Sequence, residues 1–320
     1  MVTGATGFIG SYLVRALMKN RARVRIFVRS NSAQPDTELD VHVGDLENSA
    51  SLLPACRSID TVFHVAGFAH ADNTPQTADH HWRINAEGSR RLLECAVEAG
   101  VKRFVFLSSV LAAGPGGPRC IDEEWPLLPL TPYGKAKRAA EQWVLDAGER
   151  HALHVVNLRP ALVYGRGVKG NLQRLLSIAQ RDEFPALPEG GKRSLIHVDD
   201  VVRAALLVAA HPAANRQTYI LTDGHSYSSR AILNQTRLAL GKPPPVWQIP
   251  ELVLSFFAQL GDCMTGVKIG TMRFNSETLD KLLGWSWYCS DKIHRELGFQ
   301  PARTLPEALP EMLDMSPNRY

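Results

Sequence analysis

No stretch of this chain approaches the ~18 consecutive apolar residues that a membrane-spanning helix needs. The apolar run at 252–257 is far too short to span and reads as part of a core-facing helix, the alternative being a surface helix that touches lipid or a partner. The N-terminus has neither the basic start nor the long apolar stretch of a secretion signal. Basic residues are not blocked together among aromatics, and the net charge is only +4. Nucleic-acid binding therefore has no positive support. Cysteine is scarce: Cys56, Cys95, Cys120, Cys263 and Cys289 make an odd number with no Cys-x-x-Cys. That pattern predicts reduced thiols in a cytoplasmic protein and excludes a disulfide framework or a zinc site. His80, His81 and His197 lack carboxylates at ligand spacing, so no metal is expected. There is no internal repeat and no low-complexity tract.

What is present is a globular composition, 45% hydrophobic and 21% charged, in 320 residues. That length allows one or two domains with a large core. In the first half, short apolar runs (24–28, 61–65, 104–107, 155–158) alternate with segments of helical periodicity (11–20, 50–56, 82–99, 133–147). Such alternation predicts an α/β fold, a doubly wound parallel sheet covered on both faces, with ligands at the carboxyl ends of its strands. Beyond Gly165 glycine, proline and irregular stretches increase. The expected division is a dinucleotide-binding Rossmann domain at 1–165 and a smaller substrate-binding part at 166–320. Segments near 195–223, a helix at 198–210 and a strand at 218–222, are expected to return to the first domain.

The segment Thr3-Gly4-Ala5-Thr6-Gly7-Phe8-Ile9-Gly10 has the glycine spacing of a dinucleotide loop. Its glycines permit a tight turn, close approach to a pyrophosphate, and packing of helix on strand, with helix N–H groups facing the phosphates. Only Met1, Val2 and Thr3 precede the first glycine, so the first strand must be very short; this fits a start set late or a few missing residues. Arg29, with Ser30 and Asn31, ends the second strand where NAD-selective folds place an acid, and it leans toward NADP(H). Asp45, followed by Leu46, is placed to accept from an adenine amino group. Tyr133 and Lys137 lie at i and i+4 of a predicted helix, behind Ser108 and Ser109. On one helix face, a phenol and an ammonium beside a hydroxyl suit proton transfer at a carbinol or ketone.

These motifs, together with Phe63-His-Val-Ala-Gly67, Asn85-Ala-Glu-Gly88, Leu158-Arg-Pro160, Arg193-Ser-Leu-Ile-His-Val-Asp199 and Glu296-Leu-Gly-Phe299, resemble the extended short-chain dehydrogenase/reductase superfamily, specifically its NAD-dependent epimerase/dehydratase group. The resemblance runs from Met1 to about Pro310. It implies Tyr133 as acid/base, Lys137 as the group that lowers the tyrosine pKa and holds the nicotinamide ribose, and Ser109 as the hydroxyl polarising the same substrate oxygen. It implies cofactor contacts at Gly4, Thr6, Gly7, Phe8, Ile9, Gly10, Arg29, Asp45, Leu46, Ala66, Gly67, Asn85 and Pro160, besides Tyr133 and Lys137. Arg193 and Asn171 fall where nucleotide-sugar enzymes contact the diphosphate. Ala112-Ala113-Gly114 and Leu162 depart from the common sugar-epimerase pattern and imply a modified sugar pocket. The stretch 163–171 looks closest to bacterial enzymes on UDP-N-acetylated or deoxy sugars for surface polysaccharides.

The function implied is an NAD(P)-dependent UDP-sugar epimerase acting at C4. The alternatives are an NADPH-dependent 4-keto-sugar reductase, a hydroxysteroid- or dihydroflavonol-type alcohol dehydrogenase, and a non-catalytic cofactor-binding regulator. Relatives commonly form homodimers through the helices here at 82–99 and 133–147.

Overall fold

The computed structural model describes residues 1–29, 39–69, 75–181, 185–263, 268–269, 272–273 and 275–313. Ser30 and Asn31 lie outside these. The chain opens with β1 (Val2–Thr3), α1 (Phe8–Lys19), β2 (Arg25–Val28), β3 (Asp40–Val43), α2 (Ser49–Cys56) and β4 (Thr61–His64). It continues through α3 (Pro75–His81), a π-helical turn (Trp82–Glu87), α4 (Gly88–Glu98), β5 (Arg103–Leu107), α5 (Pro132–Arg150) and β6 (His154–Pro160). Then come β7 (Leu162–Tyr164), α6 (Asn171–Ala179), β8 (Arg193–His197), α7 (Val198–Ala210) and β9 (Gln217–Leu221). The last part holds β10 (Ser226–Tyr227), α8 (Ser229–Ala239), α9 (Glu251–Cys263), β11 (Lys268–Ile269), β12 (Met272–Arg273), α10 (Ser276–Leu283), α11 (Asp291–Leu297) and α12 (Leu305–Leu313).

Seven strands form one parallel sheet in the order β3-β2-β1-β4-β5-β6-β9. The strand order reverses between β1 and β4, where a doubly wound sheet opens its ligand crevice. The central strands read as continuous apolar runs because both faces are covered. One core (Leu13, Val105, Val156, Val201, Val208) lies under α1 and α7, and the other (Leu52, Leu92, Phe104, Val144) under α2, α4 and α5. β1 is only two residues long but is paired on both sides, with Val2 opposite Ile26 and Phe63. A second layer forms the three-stranded sheet β10-β8-β7, packed with α6, α8 and α12 around Leu172, Leu195, Ile232 and Leu309. Thus Arg193–His197 belongs to the small sheet, while α7 and β9 immediately after it pack on and pair with the large one.

Three expectations are corrected. Cys120 and Cys289 are joined in a disulfide, so the thiols are not all reduced. The bond follows from a local pairing: Ile121 N donates to Trp287 O at 3.0 Å and Cys289 N to Ile121 O at 2.8 Å, which brings the two Cα atoms to 5.6 Å. Cys56 and Cys95 are buried free thiols, and burial pushes Cys56 up to about 12. The run at 252–257 is core-facing only in part. Leu254 is buried along with Ala258 one turn on, whereas Leu252 and Phe256 are 84% and 63% exposed, beside the equally exposed Val246 and Trp247. Residues 82–99 do not form one α-helix: a π turn over Trp82–Glu87 precedes α4. His197, which has no carboxylate at ligand spacing in the sequence, meets the distant Glu311 at 3.1 Å through Nε2.

Candidate active site

The glycine loop sits where β1 meets α1. Gly4 has φ +68°, and a Cβ there would fall 2.7 Å from Ala66 N. A Cβ at Gly10 would fall 2.0 Å from Gly4 O, so helix and loop touch through backbone alone. Gly7 caps α1 without a side-chain bond, and no acid occupies the first turn. The amino end of α1, with its dipole and N–H groups, therefore suits an anionic pyrophosphate. Thr6 and Gly7 are exposed, while Phe8 and Ile9 are half-buried.

Beneath the loop runs a hydrogen-bond relay that sequence reasoning missed. The Thr3 hydroxyl accepts from Ala66 N at 3.1 Å and meets His64 Nδ1 at 2.7 Å. His64 Nε2 meets the Ser89 hydroxyl at 2.8 Å, and Ser89 donates its proton to Asn85 O at 2.8 Å. Ser89 must then accept from Nε2–H, which leaves Nδ1 to accept from Thr3. The ring is thereby fixed neutral, and burial together with the Lys137 charge depresses its pKa to about 3. Asn85 lies in the π turn and pins the backbone after Gly67. Its Oδ1 accepts from Phe68 N at 2.7 Å and its Nδ2 donates to Phe68 O at 2.8 Å. A Cβ on Gly67 would come within 2.9 Å of Asn85 Oδ1 and 3.4 Å of Lys137 Nζ.

Ser108 and Ser109 follow the carboxyl end of β5. Ser108 is buried with its hydroxyl unpartnered among the described residues. Ser109 accepts from Leu111 N at 3.2 Å, starting a short 3₁₀ turn, and hydrogen-bonds the Tyr133 phenol. Thr131 caps α5 by accepting from Gly134 N at 3.1 Å, and Pro132 stands at the first helical position. These two set the helix start that aims Tyr133 at Ser109. A Cβ on Gly134 would fall 2.2 Å from Leu111 O, so this glycine lets α5 press against the serine turn. Lys137 is 3% exposed, donates from Nζ to Leu107 O at 2.9 Å, and stands 4.6 Å from the Phe106 ring centroid. His81 packs edge-on against Tyr133.

Burial pushes the Tyr133 phenol up to about 12, and only the Ser109 bond opposes that. Lys137 is itself brought down to about 8 by burial, which Glu141 partly offsets. The arrangement can therefore hold a phenolic proton and deliver it to, or recover it from, an oxygen placed between Tyr133 and Ser109.

The remaining residues are placed as follows. Arg29 is exposed at the end of β2. Asp45 accepts from Glu47 N at 2.9 Å and so shapes the turn after β3. Leu46 is buried, and a Cβ on Gly88 would lie 3.0 Å from its own. Pro160 ends β6 opposite Leu221. Asn171 is exposed as the first residue of α6, whose cap Gly170 contributes no side chain. Arg193 donates to Lys281 O at 2.9 Å and Leu282 O at 3.0 Å, closing the carboxyl end of α10, and its buried Nε has no partner among the described residues. Its guanidinium is thus tied to backbone on one side. Five exposed leucines, 111, 127, 128, 130 and 162, occur on the segments that follow Ser109, precede Tyr133 and follow Pro160. Among the described residues no three His, Cys, Asp or Glu side chains gather as a metal site.

The chain matches the profile of the NAD dependent epimerase/dehydratase family over residues 1–222. It is 29% identical to a UDP-glucose 4-epimerase of Vibrio cholerae, covering 96% of this chain and 92% of that one. It is 26% identical to a 3-beta-hydroxysteroid dehydrogenase of Mycolicibacterium neoaurum, covering 98% and 90%. The solved structure of MoeE5 in complex with UDP-glucose and NAD is 28% identical with a TM-score of 0.77, covering 98% of this chain and 96% of that one. A glycine loop that admits no Cβ, a helix end free of acid, and a serine, tyrosine and buried lysine gathered at the carboxyl end of β5 agree with these likenesses: the chain belongs to the NAD-dependent epimerase/dehydratase family of extended short-chain dehydrogenase/reductase enzymes.

Proposed function

We propose that the protein is an NAD(P)-dependent enzyme that epimerises a nucleotide-activated sugar, in the first instance a UDP-sugar, by transient oxidation at C4. The observation that carries this is the convergence of Tyr133 on Ser109 beside the buried Lys137. Ser109 and Tyr133 would bind one substrate oxygen between them, and Tyr133 would take and return its proton. Lys137, anchored on Leu107 O and adjacent to Gly67, would face the nicotinamide ribose. When bound, the dinucleotide accepts and returns the hydride. The amino end of α6, which carries no side-chain cap, with Asn171 and Lys169 beside it, offers N–H groups to a diphosphate; the related MoeE5 structure is a complex with UDP-glucose. A reductase would perform only the returning half and consume NAD(P)H. Arg29 supports NADPH in that role, because a guanidinium holds a 2′-phosphate well.

One observation favours a second reading. Arg193 is engaged with α10 and the exposed leucines flank the catalytic segments, which suits an apolar alcohol or ketone, as the hydroxysteroid dehydrogenase relative would take. A panel of UDP-sugars and hydroxysteroids, run with each cofactor while following absorbance of the reduced nicotinamide, separates these. A new UDP-sugar without net cofactor consumption supports the epimerase, stoichiometric consumption the reductase, and turnover of the steroid alone removes the nucleotide-sugar reading. Tyr133→Phe is expected to lower kcat by about 10²–10⁴ while leaving dinucleotide binding intact. Full activity in that variant excludes the mechanism.

A further inference from the structure

The face of α5 that carries Tyr133 and Lys137 continues one turn on to Glu141, and this residue is clamped by two side chains of β6. Arg159 approaches it with both arms of its fork, Nε to Oε1 at 2.8 Å and Nη2 to Oε2 at 2.6 Å, and both residues are 2% exposed. Asn157, two residues earlier on the same face of β6, donates from Nδ2 to the backbone oxygen of Glu141 at 3.2 Å. A helix held at one residue by both its carboxylate and its carbonyl has no freedom to slide along the strand. The lysine one turn before that residue is then set at a fixed height over β5, where its ammonium meets Leu107 O and the Phe106 face.

We propose that Glu141 and Arg159 are positioning residues for Lys137: their buried ion pair fixes the register of α5 on β6 and turns its negative end toward the lysine, so that the ammonium remains charged inside the protein. This rests on the role given to Lys137 above. The pair is neutral as a whole, but it is not neutral as seen from Lys137. The helical spacing puts Glu141 on the lysine's face of α5, and its charge favours the ammonium. Other charged or titratable groups around the lysine do not replace Glu141. Tyr133 on α5 holds its proton, His64 from β4 is neutral, and Phe106 and Leu107 from β5 present a ring and a carbonyl. Arg138, half-exposed, stands 3.8 Å from Glu141 Oε2, the oxygen that Arg159 Nη2 engages at 2.6 Å. Glu123 is directed to Ile220 N and adds negative potential at Arg159, not at the lysine. Removing the carboxylate alone would leave Arg159 buried and uncompensated, which is destabilising whatever the role of the pair. The informative variant therefore removes both charges at similar volume.

The test compares wild type, Glu141→Gln, and the double variant Glu141→Gln/Arg159→Met, each checked for fold by thermal melting. The first readout is the NMR titration of the Lys137 side chain in the protein without cofactor, which does not depend on turnover. The second is the pH profile of kcat. Wild-type Lys137 is expected to titrate near 8. In the folded double variant the midpoint is expected to fall by about one pH unit or more, with the limb of kcat moving alongside it and KM little changed. A folded double variant with the wild-type Lys137 titration would overturn the proposal and leave the pair as a fastening between α5 and β6. So would a shift seen in Glu141→Gln but reversed in the double variant, because the cause would then be the orphaned Arg159. Failure of the catalytic reading itself shows elsewhere, as retained turnover in Tyr133→Phe.

Discussion

His64 shows how a single side chain in this protein links the central sheet to the site. It sits neutral under the glycine loop, with both ring nitrogens engaged and no solvent exposure. Its pKa is lowered from 6.5 to about 3 in the folded protein. Between those two values the unfolded chain binds a proton that the folded one refuses, so stability falls as pH drops. From pH 6.5 to 5 the loss is expected to be about 2 kcal/mol from this residue. Urea unfolding at the two pH values measures it, and His64→Gln should flatten the slope. Lys137 acts in the alkaline range. Its pKa is lowered from 10.5 to about 8, so the cost of burying its charge is fully present below pH 8 and disappears as pH rises to 10.5. Tyr133 works oppositely, raised from 10 to about 12, and stability falls again across that interval. Cys56, raised from 9 to about 12, loses stability from pH 9 upward and offsets the Lys137 gain there, so the Lys137 contribution is expected as a rise in stability between pH 8 and 9 that Lys137→Met removes.

At the scale of elements, α9 separates burial from hydrophobicity within one helix. Leu254 and Ala258 face the core around Leu172 and Leu305, whereas Leu252 and Phe256 face outward. Leu254→Ala is expected to cost about 2–5 kcal/mol through the cavity it leaves. Phe256→Ser should stay within about 0.5 kcal/mol. Chemical denaturation of the two variants checks the contrast, and equal costs would mean that the outer face is covered. The helix that carries Tyr133 and Lys137, α5, is more constrained. Thr131 sets its start, Gly134 brings it against the serine turn, and Glu141 ties it to β6. Of these, the cap is legible as a Thr-Pro pair before a helical pattern, and Glu141 continues the Tyr133–Lys137 spacing by one more turn. Arg159 stands in the Leu158-Arg-Pro160 motif, but nothing local names its partner, which the packing of α5 on β6 brings to it.

Across the whole molecule, the Cys120–Cys289 bond ties the segment between Ser109 and Tyr133 to the strand-like stretch before α11, across 169 residues of sequence. Cys289→Ser, or reduction of the native protein, is expected to cost about 2–4 kcal/mol. Melting with and without reductant reads this directly, and an unchanged midpoint in both would mean the bond contributes nothing in solution. A homodimer through α4 and α5 is proposed from the family resemblance, and Trp82, 44% exposed beside Trp143, lies on that side. Light scattering is expected to give twice the 35.3 kDa chain mass, and a monomer removes the proposal.

The sequence by itself determined the parallel sheet, the glycine loop and the grouping of Tyr133 and Lys137 behind the serine pair, because each depends on local periodicity or on residues a turn apart. Alternating apolar runs leave few ways to cover a sheet on both faces, and i, i+4 spacing needs only a helix to bring Tyr133 and Lys137 together. Only the tertiary structure decided the rest. It paired Cys120 with Cys289, gave His197 the carboxylate of Glu311, tied Arg193 to the end of α10 and set Arg159 against Glu141. In each case the partners come from different elements, and only chain packing sets the distance between them. The same packing raises the Tyr133 pKa through burial: desolvation depends on what surrounds a group, and no spacing in the sequence records that.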